Sequence, residues 1–127
     1  MSAPERRPRI LLVEEDTRAA RRLAHMLHED GFDVEITGDG ADAVARLSAS
    51  PPPEVLVTDM FIPSVDGLAL SRVARGRSPA IPTVLITGHA ELVRRRATAD
   101  ELPLVFVKPV DYEALAKALH GLFAPGG

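Results

Sequence analysis

Val55-Leu56-Val57-Thr58-Asp59-Met60-Phe61-Ile62-Pro63-Ser64-Val65-Asp66-Gly67 decides the fold: an apolar run leads through Thr58 into a lone acid, and Pro63 and Asp66-Gly67 then mark a turn. A short, unbroken Val/Leu run suits a strand covered on both faces of a parallel sheet. Ile10-Leu11-Leu12-Val13-Glu14-Glu15-Asp16 has the same form, an apolar run followed by acids. If the two runs are neighbouring parallel strands, Glu14, Glu15 and Asp59 converge at the carboxyl edge of one sheet, where open α/β sheets place their ligands. Carboxylates gathered there raise one another's pKa. A hard divalent ion such as Mg²⁺, which takes oxygen ligands, removes that penalty.

Outward from these runs, apolar stretches and helical patterns alternate down the whole chain, as βα units do around a parallel sheet. Strands are predicted over residues 9–13, 33–37, 55–58, 83–87 and 104–107, with helices over 17–29, 41–48, 68–75, about 90–99 and 112–123. Val34 and Ile36 alternate with Asp33, Glu35 and Thr37, so that strand belongs at an edge. Leu23, Met26 and Leu27 form an i, i+3, i+4 stripe, as do Leu115, Ala118, Leu119 and Leu122, and both are read as core faces. Asp111 can cap the last helix and Gly31 can stop the first. Right-handed crossovers then give an α/β fold, a doubly wound five-stranded parallel sheet of order 2-1-3-4-5.

Size and composition exclude several classes. The chain of 127 residues fits one domain with its own core, is 46% hydrophobic and 26% charged, and has no cysteine for disulfides, thiolate metal sites or nucleophiles. No apolar run approaches the roughly 20 residues of a spanning helix, and the opening segment, with Arg6, Arg7 and two prolines, lacks the apolar centre of a secretory signal. A cytoplasmic protein is expected, with no membrane partner. A net charge of −3 argues against general nucleic-acid affinity. Arg94-Arg95-Arg96 reads as a solvated helix face, and His25 and His28 lack the partners of a zinc site.

Four separated motifs in one order now resemble the receiver domain of bacterial two-component response regulators, the CheY-like family, over residues 9–123. They are the first strand with its acidic turn, the stretch 55–67, Val84-Leu85-Ile86-Thr87-Gly88, and Phe106-Val107-Lys108-Pro109. Asp59 and Thr87 are 28 residues apart, Thr87 and Lys108 are 21 apart, and this set of spacings is what makes the likeness specific. The resemblance implies a CheY-like (βα)5 sandwich, with a flexible segment at 1–8 and a tail at 124–127. It implies that Asp59 takes a phosphoryl group from a sensor histidine kinase or histidine phosphotransfer protein, aided by Lys108 and the Thr87 hydroxyl. Mg²⁺ would be held by Glu14, Glu15, Asp59 and the backbone carbonyl of Phe61. A cis peptide at Lys108-Pro109 and an output partner protein, with no nucleic acid bound by this domain, are also implied. Phe61 and His89 resemble positions that border the approach of a hydrolytic water.

The chain departs from the family pattern in three places. Glu15 stands where the second acid is usually Asp, and the extra methylene suits poorly the near-octahedral demands of Mg²⁺. Val105 stands where an aromatic switch residue is usual, with Phe106 beside it facing the opposite side of the sheet. Residues 98–103 are slightly short and differ from the usual segment, which leaves the fourth helix open. A pseudo-receiver, binding partners without phosphorylation, is therefore the alternative. A dehalogenase-like phosphatase would need a second acid at Phe61, and a flavodoxin-like cofactor site would need a hydroxyl- and glycine-rich loop where Glu14 and Glu15 stand. Only residues 124–127 follow the last helix, so the reading is a stand-alone receiver or one cut from a larger regulator or hybrid kinase.

Overall fold

Residues 6–101 and 103–123 are described by a computed structural model. Its strands are β1 (Arg9–Val13), β2 (Asp33–Thr37), β3 (Val55–Asp59), β4 (Thr83–Thr87) and β5 (Leu104–Val107). All are parallel, in the order β2-β1-β3-β4-β5. The helices are α1 (Thr17–Glu29), α2 (Gly40–Leu47), α3 (Gly67–Arg75), α4 (Ala90–Arg96) and α5 (Tyr112–Leu122), with a 3₁₀ turn at Ala99–Glu101. Among the described residues no helix is long and apolar enough to cross a membrane.

Alternation along the central strands feeds two layers. Ile10 and Leu12 of β1 and Val55 and Val57 of β3 pack with Ala20 and Leu27 of α1 and Leu115 and Leu119 of α5. Their neighbours Leu11, Val13 and Leu56 face the other way, onto Ala43 and Leu47 of α2 and Leu70 and Ala74 of α3. Each such fully buried Leu, Ile or Val contributes roughly 1.5–3 kcal/mol. A smaller third cluster, Met60, Leu68, Leu85 and Val93, lies under α4 with Val105 against it. β2 is the expected edge, with Ile36 exposed and Glu35 paired to Arg46.

Local chemistry sets the helix starts. Asp16 Oδ1 accepts from the N–H groups of Arg18 and Ala19, so the third acid of the first turn is a cap, worth about 1 kcal/mol. Asp39, Asp66 and Asp111 cap α2, α3 and α5 in the same way. Gly31, at φ +100°, follows the end of α1 where a left-handed residue is required. In the segment before β1, Arg6 pairs with Glu54, and Arg7 donates to the carbonyls of His28 and Phe32. Residues 1–5 and the tail at 124–127 lie outside the described residues.

Two expectations are corrected. α4 ends at Arg96 rather than near Ala99, because Ala97 turns to extended backbone and the chain then makes a separate 3₁₀ turn before Pro103. Met26 and Leu122, on apolar stripes, are 37% and 44% exposed, since periodicity marks a face but not its depth. Arg94, Arg95 and Arg96 are solvated as expected, with one loose pair from Arg94 to Glu91 at 3.9 Å.

Candidate functional site

The β1/β3 register places the first acids. Val13 lies opposite Thr58, so Glu14 and Asp59 leave the sheet side by side at its carboxyl edge. Glu14 is fixed by its N–H, which donates to the Thr37 carbonyl at 3.0 Å, and its Oε2 accepts weakly from the Asp16 N–H at 3.4 Å. The fifth strand brings the cation. Thr87 lies opposite Val107, and the Lys108 N–H donates to the Thr87 carbonyl at 2.9 Å, which aims the lysine back over the neighbouring strands.

The three side chains meet there. Lys108 Nζ donates to Asp59 Oδ2 at 2.7 Å and reaches Glu14 Oε1 at 3.5 Å, while Asp59 Oδ1 accepts from the Met60 N–H at 2.8 Å. Glu14 and Asp59 are 15% and 14% exposed, and Lys108 is 41% exposed. Burial raises the pKa of Glu14, and the negative Asp59 beside it adds to the rise, against the opposing pull of Lys108. For Lys108 burial works downward, but the hydrogen bond and charge of Asp59 outweigh it and hold the ammonium above its ordinary value. The ammonium thus pairs with two acids that would otherwise repel.

The loop after β3 is seated by close backbone approach. The Gly67 N–H donates to the Met60 carbonyl at 2.8 Å, and a Cβ on Gly67 would lie 2.3 Å from the Asp59 carbonyl oxygen. At the other side, a Cβ on Gly40 would lie 2.3 Å from the Val65 oxygen. Between them Ser64 takes φ +77°. Phe61, half exposed, rises from this loop and sets its ring on edge against His89, with centroids 5.4 Å apart and planes at 80°.

Not every expected site residue joins the cluster. Thr87 is fully buried, and its Oγ1 accepts from the His89 N–H at 2.9 Å. Glu15 is exposed and lines the same open groove, of about 1070 Å³, as Glu14, Asp59, Phe61 and Lys108. Among the described residues no three His, Asp or Glu side chains are grouped to share an ion, so Glu15 is not gathered with Glu14 and Asp59. Val105 and Phe106 do face opposite sides, against α4 and against the α1/α5 layer. The Lys108-Pro109 bond is cis.

Sequence reasoning missed the far wall of the groove. Tyr112 lines it with Leu23 and Met26, and the Tyr112 hydroxyl donates to Asp30 Oδ2, tying α5 to the end of α1. Burial, then the Asp30 carboxylate, push the phenol well above its usual pKa. The only signal available was an aromatic at the first position of a helix, which by itself names no role.

Comparison with known proteins agrees with this geometry. The family pattern for the response regulator receiver domain matches residues 10–120. The transcriptional regulatory protein TrcR of Mycobacterium tuberculosis is 33% identical over 90% of this chain and 44% of its own length. The DNA-binding response regulator MtrA of Mycolicibacterium smegmatis is 31% identical over 88% of this chain and 50% of its own. The chain thus spans half or less of the length of these curated relatives. A response regulator receiver protein from Sinorhizobium medicae superposes with a TM-score of 0.82 at 28% identity, covering 91% of this chain and 94% of that one.

Proposed function

The chain belongs to the response regulator receiver domain family of two-component systems, and from that membership we propose that Asp59 accepts a phosphoryl group from a sensor histidine kinase or a histidine phosphotransfer protein. The observation that carries this reading is the 2.7 Å contact from Lys108 Nζ to a carboxylate that is 14% exposed and opens onto a groove. An Asp59 oxygen attacks phosphorus as the P–N bond of a phosphohistidine breaks. The imidazole leaves with the bonding pair and takes up a proton, and Asp59 becomes an acyl phosphate. Lys108, already held there, pairs with phosphoryl oxygens as a movable point charge. The Thr87 hydroxyl, turned away from His89, donates to another of them.

The donor set fits Mg²⁺ in kind. It consists of hard oxygens, and Lys108 in the resting site answers the same need for positive charge between Glu14 and Asp59. Glu14, Asp59 and the Phe61 carbonyl would hold the ion, with Glu15 as a longer-reaching donor. When bound, Mg²⁺ supplies neutralisation of charge on the transferring group. In this reading the domain assists its own phosphorylation and dephosphorylation and is a signalling acceptor rather than an enzyme acting on other substrates. Its output is a protein-binding surface rather than nucleic acid, in keeping with the acidic net charge.

One observation favours a second reading. Glu15 is exposed and stands apart from Glu14 and Asp59, as in a pseudo-receiver that binds its partner without phosphorylation. Intact-mass spectrometry after incubation with acetyl phosphate and Mg²⁺ separates the two. The first expects one added phosphoryl group that is lost in Asp59→Asn. A wild-type protein that gains none favours the second, and a phosphate that persists in Asp59→Asn overturns the assignment of the acceptor.

A further inference from the structure

Of the five helices, α4 buries the fewest residues. It has seven residues, too few to be stable as an isolated helix, and buries Val93 alone. At its C-terminal end Arg72 of α3 donates to the Arg96 carbonyl at 3.4 Å. At its N-terminal end the cap residue, His89, makes no side-chain cap hydrogen bond, unlike the aspartates that begin the other four helices. What holds His89 instead comes from the acid pocket. Its N–H donates to Thr87 Oγ1, and its ring meets the edge of Phe61, two residues after Asp59.

From this arrangement we infer that the Phe61–His89 ring pair is a latch, which keeps the first turn of α4 closed while Asp59 is unmodified and releases it when Asp59 carries phosphate. The inference rests on the phosphorylation reading for its trigger but not for the latch itself. In the resting domain the His89 carbonyl accepts from the N–H groups of Leu92 at 3.1 Å and Val93 at 3.4 Å, so fixing His89 fixes the first turn. A hydroxyl drawn from His89 toward a phosphoryl oxygen withdraws one tie, and a phosphoryl group beside Phe61 parts the rings. No ring at Val105 is needed. That side chain packs with Met60, Leu85 and Val93 beneath the helix and has no bulk to swing. Gly88 suits the motion, since a Cβ built there would touch nothing within 4 Å and the backbone between Thr87 and His89 has room to turn. Phe61 and His89 are positioning residues in this scheme, acting through α4.

Amide hydrogen exchange on the full chain tests it. In the resting protein, Phe61→Ala is expected to speed exchange at Leu92 and Val93 by about fivefold, the scale of one edge-to-face ring contact, leaving Leu11 and Leu56 unchanged. Phe61→Tyr, which keeps the ring, is expected to restore protection. Acetyl phosphate with Mg²⁺ should then raise exchange at Leu92 and Val93 in the wild type and add little in Phe61→Ala. Unchanged protection at Leu92 and Val93 in the resting Phe61→Ala protein overturns the latch, and so does a rise shared by Leu11 and Leu56, which marks general loosening. If mass spectrometry finds no phosphate on Asp59, the phosphorylation reading fails while the resting-state result still decides the latch.

Discussion

On the β1–β3 side of the sheet, Ile10, Leu11, Leu12, Val13, Val55, Leu56 and Val57 are at most 2% exposed, whereas on β5 Leu104 and Val107 are 48% and 53% exposed. The difference continues above the strands. α3 buries five residues and α4 one. The carboxylates grow from the packed side, and the lysine follows the looser β5. An acceptor whose oxygens must be aimed needs a frame that does not yield, because interiors packed to crystal-like density transmit displacement rather than absorb it. A surface that must change for a partner needs few contacts, since locally opening segments come from the low-stability end of a fold.

The harshest test of this contrast is stability. Leu56→Ala, in the packed half, should cost about 3 kcal/mol, while Leu104→Ala on β5 should cost less than about 0.5 kcal/mol, both read from urea denaturation. Equal losses would erase the distinction.

The seam between the halves is probed next. Phe61 offers water no hydrogen bond where it lines the groove beside Asp59, so under the proposed phosphorylation Phe61→Asn should shorten the life of the acyl phosphate about fivefold, equivalent to roughly 1 kcal/mol in the barrier. His89→Ala should change it less. Decay followed by intact mass checks both, and a longer-lived phosphate in Phe61→Asn would place the water's approach elsewhere.

A smaller effect is expected within the acid pocket. Glu15→Asp should tighten Mg²⁺ by about threefold in calorimetric titration, because the shorter side chain loses less rotamer freedom on binding. Affinity that stays equal would show that Glu15 is not a ligand, and affinity that falls would show that the site uses its longer reach.

The smallest change concerns charge. The folded-state pKa of Glu14 lies above its ordinary value, owing to burial and then to Asp59, so its ionised form costs stability at neutral pH. Protonation on acidification removes that cost progressively, first through the folded value and then down to the unfolded one. Glu14→Gln should therefore raise the melting temperature by a few degrees at pH 7, with a gain that vanishes as the pH falls below the ordinary glutamate range. A variant that melts lower at neutral pH would mean that the pull of Lys108 dominates instead.

Much of the frame was legible because its signals are local. Unbroken Val, Leu and Ile runs located β1, β3 and β4 within one residue, and the alternation in 33–37 marked the β2 edge. Asp59 and Glu14 could be brought together because strand ends in a parallel sheet share one edge, and Lys108 joined them through the family resemblance. The rest depends on side-chain geometry that spacing does not carry. Nothing in the sequence shows that Lys108 spans both acids, that Thr87 Oγ1 already accepts from the His89 N–H, or that Glu15, though it lines the same groove, is not gathered with the pair. The end of α4 escaped for another reason. Apolar periodicity weakens through Arg94-Arg95-Arg96, and the stop is set by an ordinary alanine turning extended rather than by a glycine or proline.

Two missing methyl groups decide how freely this sequence can drift. Gly40 and Gly67 stand at the flanks of the loop 60–66, each so close to a backbone oxygen that any side chain would lift the loop, and with Gly67 the carbonyl of Asp59 itself. Gly88 and Gly121 have open space at the same atom. In a library of all single substitutions, positions 40 and 67 should reject even alanine, while 88 and 121 accept it. Two glycines that carry no reactive group would then look as indispensable as Asp59, for reasons of volume alone.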